Sequence, residues 1–156
     1  MLDRRRAGIA GLVVSASAFV AIVTHEGYRS EAYIPVPGDV PTIGFGTTEG
    51  VKIGDTITPP KAMERALSDM QKYEGAIKRC VRAPLYQHEY DAYVSLEYNI
   101  GPTAFCGSTL VKKLNAEDYV GACREILVWD KFKGKPLRGL TIRRNEEYKR
   151  CISESG

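Results

Sequence analysis

Eighteen consecutive residues, Ala7 to Thr24, carry no charge, and an acid, Glu26, stands two positions beyond the run. Such a stretch has to leave water, either as a buried helix of a folded body or across a bilayer, for which its length lies within the usual 17–25 residues. Arg4, Arg5 and Arg6 stand just before it. They favour the second reading through the positive-inside rule, and together the two parts read as the n-region and h-region of an export signal. No small-x-small cleavage site follows the run, and Ala16-Ser17-Ala18 would cut through its middle. Residues 1–24 are therefore expected to stay on the mature chain as a signal anchor. Nine of the eighteen residues are Ala, Gly or Ser, and eight are Ile, Leu, Val or Phe. The eight give about −2 to −5 kcal/mol of insertion free energy at roughly −0.3 to −0.6 kcal/mol each. Insertion on that scale is marginal, so the anchor is expected to be releasable.

Beside so apolar a helix, burial should raise the pKa of the Glu26 carboxyl towards the value a general acid needs. Asp39 and Thr42 follow. A carboxyl acid facing an Asp and a hydroxyl that can hold a water is the equipment for splitting a glycosidic bond. From Ser30 to Pro60 the chain is rich in Pro, Gly and Thr, with short β-branched pieces at Thr42-Ile43 and Val51-Lys52-Ile53. These predict a small antiparallel sheet with glycine turns.

Helix signals return at Thr58-Pro59-Pro60. Ala62 to Cys80 reads as one amphipathic helix with Met63, Ala66, Leu67, Met70 and Tyr73 on its apolar side. Tyr90 to Ile100 is a second helix ended by Gly101-Pro102, on which Asp91 and Glu97 are expected to be solvated. Ser108 caps a short helix through Leu114, Ala116 to Trp129 forms another, and Arg138 to Ile152 the last. Lys131 to Gly139 is a Gly/Pro-broken turn that would leave Trp129 at a surface, where its ring either stacks on sugars or packs into the core. The fold class is α+β.

At 156 residues the chain is one domain, or two small lobes sharing a long helix. Its formal net charge of +3 comes from basic and acidic residues that are interleaved, which argues against nucleic acid as a partner. Four cysteines without a Cys-x-x-Cys and with only two histidines argue against a zinc site and fit disulfides in an oxidising compartment better. Three pairings are open. Cys106 with Cys123 and Cys80 with Cys151 is the one expected, joining successive helices in the first case and the long helix to the last in the second.

Glu26-Gly27, Ala32-Tyr33 and Thr42-Ile43-Gly44-Phe45-Gly46 resemble the phage-type lysozymes (endolysins) of glycoside hydrolase family 24. The likeness continues through Asp91-Ala92-Tyr93-Val94-Ser95, Tyr98-Asn99-Ile100-Gly101, Ser108-Thr109-Leu110, Lys113-Leu114-Asn115, Trp129, Gly139-Leu140 and Arg143-Arg144. It implies a lysozyme-like fold: a β-containing N-terminal lobe at 25–60, a connecting helix at 61–80 and a helical lobe at 81–156. It also implies a muramidase that a phage uses to lyse its host, with Glu26 as acid and no cofactor. Asp39 and Thr42 would hold the water, Asn99 would face the cleft, and Arg138 resembles the arginine that approaches the catalytic Glu. The partners implied are peptidoglycan and, before release, the host inner membrane through residues 7–24; the active enzyme is a periplasmic monomer. Two departures stand out: Pro35 occupies the usual place of the Asp, and Thr47 stands where many relatives have His. A wall-binding or membrane-associated protein that kept the fold without turnover is the alternative reading.

Overall fold

The computed structural model describes residues 5–153, which form two compact units. One holds the chain up to Ala18 together with everything from Tyr73 on, and the other holds Phe19–Lys72.

In the smaller unit, α1 (Ala16–Glu26) leads into β1 (Arg29–Tyr33), which pairs antiparallel with β2 (Thr42–Gly44). Val51-Lys52-Ile53, expected to be a strand, instead lies in turns closed by Val51 N to Thr48 O and Asp55 N to Lys52 O. The pairing on the other side of β1 falls to Asp55–Ile57, through Ala32 N to Asp55 O at 3.0 Å and Ile57 N to Ser30 O at 2.9 Å. The Asp55 carboxylate also accepts from Lys52 N at 2.9 Å, which favours the turn over a strand. Helix α2 runs over Pro59–Cys80, with Pro59 and Pro60 in the first turn, where no N–H is needed. Its buried face is Ala62, Ala66, Met70 and Ile77, whereas Met63 and Leu67 are 36% and 49% exposed. The 3/4 spacing was read correctly, but the stripe is rotated by about one residue. Gly44, at φ 64°, explains the small face: a Cβ there would stand 3.1 Å from Ala62 Cβ.

The larger unit is built around α3 (Gln87–Ile100), whose residues Glu89 to Tyr98 are all buried. Helices α4 (Pro102–Cys106), α5 (Thr109–Asn115), α6 (Tyr119–Glu125) and α7 (Arg138–Ile152) follow, with a short hairpin of β3 (Lys131–Phe132) and β4 (Lys135–Pro136) before the last. Ser108 caps α5 by accepting from Val111 N at 3.3 Å, as expected. The helix expected over Ala116–Trp129 is shorter because Asp118 caps α6 on Gly121 N and a 3-10 turn, Ile126–Val128, ends it. The disulfides are Cys80–Cys106 and Cys123–Cys151, which corrects both expected pairs. Gly101-Pro102 turns the chain so that α4 returns beside the end of α2, and the Cα atoms stand 5.6 and 5.8 Å apart, within bridging range. With sequence separations of 26 and 28, each contributes about 3.5 kcal/mol on the chain-entropy account.

Residues 7–24 are not one helix here, and no helix among the described residues is long and apolar enough to cross a membrane. Ala7 exchanges both backbone hydrogen bonds with Leu85, Ile9–Gly11 make a 3-10 turn, and the chain is extended until Ser15. Five carboxylate contacts fix this path. Arg6 meets both oxygens of Glu89 at 3.0 and 3.1 Å, Val14 N donates to Glu74 Oε1 at 2.6 Å, and Ser15 N donates to Asp91 Oδ1 at 2.9 Å. The Ser15 hydroxyl donates to Asp91 Oδ2 at 2.7 Å and also accepts from Ala18 N, capping α1. Arg4 lies outside the described residues.

Asp91 and Glu97, expected in solvent, are 3% and 0% exposed. Asp91 is held by Ser15 and Gln87, but neither Glu97 oxygen has a hydrogen-bond partner among the described residues. Burial, and after it the Glu74 charge, push the Glu97 carboxyl up to about 8 against the pull of Arg79. The folded state therefore holds a proton that the unfolded chain releases near pH 4.3. Stability is fully present below that pH and falls as pH rises to about 8, by on the order of several kcal/mol. Glu97→Gln mimics the protonated acid. Its melting temperature should match wild type at pH 5 and exceed it by on the order of 10 °C at pH 9. Parallel melting curves across that range would remove Glu97 as the cause.

Candidate active site

The end of α1 sets Glu26. Gly27 leaves the helix at φ 70° with its amide still bonded to Val23 O at 3.0 Å, the left-handed exit that glycine provides without strain. Glu26 thus projects from the last turn, half-buried. Against it comes the turn after β2. Ile43 and Thr47 exchange backbone hydrogen bonds of 2.9 and 3.0 Å around Gly44-Phe45-Gly46. Gly46, at φ 83°, is so near that a Cβ there would meet Glu26 Oε2 at 3.0 Å and Cδ at 3.5 Å. A side chain at 46 would displace the carboxyl, so the glycine is what lets backbone form one wall of the acid's setting. Behind the turn, buried Thr47 donates to Asp69 Oδ2 on α2 at 2.7 Å. The Thr47 hydroxyl thus ties the turn to the helix.

Thr42 is 7% exposed on the strand that feeds this turn, and its hydroxyl donates to Val40 O at 3.2 Å. Asp39 is exposed on the preceding loop, and its one side-chain hydrogen bond among the described residues is accepted from Val40 N at 2.8 Å. The fold thus brings Glu26 together with the Thr42–Thr47 strand and turn and leaves Asp39 at the end of a loop. Chemically the setting offers a carboxyl that can give a proton, and a hydroxyl and a second carboxyl that can bind water.

Asn99, Trp129 and Arg138 belong to the helical unit. Arg144, fully buried, donates to Asn99 Oδ1 at 2.9 Å and to Trp129 O at 3.3 Å. Its Nε stands 2.6 Å from Glu147, which also accepts from Ser95 Oγ at 2.5 Å and pairs with Arg143 at 3.6 Å. Arg144 therefore joins the end of α3 to the segment after α6 and presents Asn99 exposed and Trp129 half-buried. Arg138 opens α7 in an exposed position outside this cluster. The organising role of Arg144 was missed from sequence, where it entered only as part of a motif. Its i,i+3 spacing to Glu147 was the available signal.

The family model described as phage lysozyme matches residues 23–147. The endolysin of Salmonella phage P22 is 40% identical over 138 residues, which cover 85% of this chain and 94% of that one. The SAR-endolysin of Pseudomonas phage phiKMV is 35% identical over 144 residues, 90% of this chain and 89% of that one. Among solved structures, an endolysin from Escherichia coli O157:H7 phage FAHEc1 superimposes with a TM-score of 0.79 at 35% identity, covering 93% of this chain and 96% of that one.

Proposed function

This chain belongs to the phage lysozyme family, and from that membership we infer that it is an endolysin, a glycoside hydrolase that cuts bacterial peptidoglycan to lyse the host cell. The bond cleaved is the β-1,4 link between N-acetylmuramic acid and N-acetylglucosamine. The observation that carries the assignment of chemistry is the seating of Glu26 against the Gly46 turn. Glu26 is proposed as the general acid that protonates the leaving oxygen, and Thr42 with Asp39 as the groups that hold the attacking water. Asn99 and Trp129 are proposed to meet the glycan, steadied by Arg144. Arg138 is proposed as a further cation towards the substrate.

The segment before Glu26 is proposed to tether the enzyme to the inner membrane and to leave it on activation. The relative from phage phiKMV is named a SAR-endolysin, and the captured path of residues 6–15 supports the reading. Arg6, one of the cations that would hold the start of the chain in the cytoplasm, here has a built acceptor in Glu89 with the ring of Tyr119 3.5 Å from its guanidinium carbon. A basic end held by the membrane potential is stabilised by about 2.3 kcal/mol per charge per 100 mV. Collapse of that potential removes this restraint on a segment whose insertion is already marginal. Energised cells should therefore carry the protein in the membrane fraction without lysis, and de-energised cells should release it and clear. A protein that is soluble and lytic in energised cells, or that never clears purified walls, would reject the tether or the activity respectively.

A further inference from the structure

One segment carries a local excess of basic charge. Asp130 to Arg138 contains four cations, Lys131, Lys133, Lys135 and Arg138, and one acid, a net of +3. The whole chain has 22 basic and 19 acidic residues, so everything else balances at 18 of each. The structure folds this segment into the β3–β4 hairpin, every residue of which is exposed, with Lys131 opposite Pro136 and Phe132 opposite Lys135.

Two details set the hairpin apart from a plain surface loop. The turn is Lys133-Gly134 at φ 51° and φ 79°, the two positive values of a type I′ connection, whose first position is preferentially Asn, Asp or Gly. A lysine is held there in left-handed backbone, and strain of that kind is kept where the side chain's position matters. Phe132 and Leu137 stand 48% and 50% exposed among the cations, and Lys133 Nζ lies 5.5 Å from the Phe132 ring centre. An acidic polymer would select the cations but not the bare Phe and Leu, whereas a neutral glycan would stack on the Phe ring but not select the cations. A bilayer of acidic lipid takes both, since apolar side chains enter the interface while lysine stems lie along it with their charges at the headgroups.

We propose that the β3–β4 hairpin is a contact site for an anionic phospholipid surface. It would be separate from the apolar N-terminal segment, and would keep the enzyme near the membrane from which wall synthesis proceeds.

The test uses the full chain, with vesicles of phosphatidylcholine containing about 30% phosphatidylglycerol against pure phosphatidylcholine. Wild type should co-sediment with the first in a salt-sensitive manner and not with the second. Lys133→Glu/Lys135→Glu changes the charge by four units and should bind the anionic vesicles about 600-fold more weakly, each unit of charge being worth roughly five-fold. Phe132→Ser should lose several-fold, and all three proteins should hydrolyse purified walls at the same rate. Because the variants keep residues 1–24, a difference between them and wild type belongs to the hairpin. Equal vesicle binding by wild type and the double Glu variant overturns the proposal. So does loss of binding to purified walls with vesicle binding unchanged, which would make an acidic wall polymer the partner. Loss of hydrolysis by wild type itself would count against the enzymatic reading and leave the vesicle comparison standing.

Discussion

Glu26→Gln is expected to lower the rate of wall lysis by about 10²–10⁴-fold while leaving the fold intact. The amide has the carboxyl's size and so keeps the contact with Gly46, where 3.0 Å separates Oε2 from the place of a Cβ. What it lacks is a proton acidic enough to give to a leaving alkoxide. Clearing of a wall suspension at saturating substrate reads the rate, and circular dichroism reads the fold. Activity above a tenth of wild type would take the acid's role away from Glu26. In the same assay Thr42→Ala and Asp39→Asn should each slow the reaction by at least about 10-fold. A fully active Asp39→Asn protein would leave Thr42 as the only proposed holder of water, in keeping with the buried place of Thr42 and the exposed one of Asp39.

Arg6→Ala should cost roughly 2–4 kcal/mol of stability, a large share for a domain of this size. Glu89 has a side chain only 3% exposed, and removing its guanidinium partner leaves a buried carboxylate with only Tyr86 N as a described donor. The range is set below that of a fully enclosed pair because Arg6 is 30% exposed. Stacking of Arg6 on Tyr86 and Tyr119 is lost as well. Arg6→Met with Glu89→Gln removes both charges and should recover much of the loss, since the unpaired charge carries most of it. Urea titration checks both, with a change in Cm at unchanged m expected. A shift under about 0.5 kcal/mol for Arg6→Ala would mean that the first described residues are not fastened to the body of the protein in solution.

The parts of the fold legible in the sequence are those whose causes are local. Gly27 ends α1 beside Glu26, Ser108 starts α5, and the last helix occupies Arg138–Ile152 as read. The break in residues 7–24 was not legible, because its causes, Glu74 and Asp91, lie 60 and 76 positions away. The same holds for Glu97, whose helix carries charge at spacings normal for a solvated face but is enclosed on all sides. The cysteine pairing depended on where α4 turns back, which no spacing states. In the candidate site, the run Thr42 to Gly46 ends in the glycine that lies against Glu26, while the tie from Thr47 to Asp69 crosses 22 residues and is stated by no local spacing.

The most direct test of the account is the chemical identity of the new chain ends in digested peptidoglycan. Walls treated with the purified protein are reduced with borohydride, hydrolysed and analysed by mass spectrometry. A hydrolase that cuts after N-acetylmuramic acid gives muramitol in proportion to clearing, with wild type producing it and Glu26→Gln not. Glucosaminitol, 1,6-anhydromuramic ends, or clearing with no new reducing ends would contradict the account.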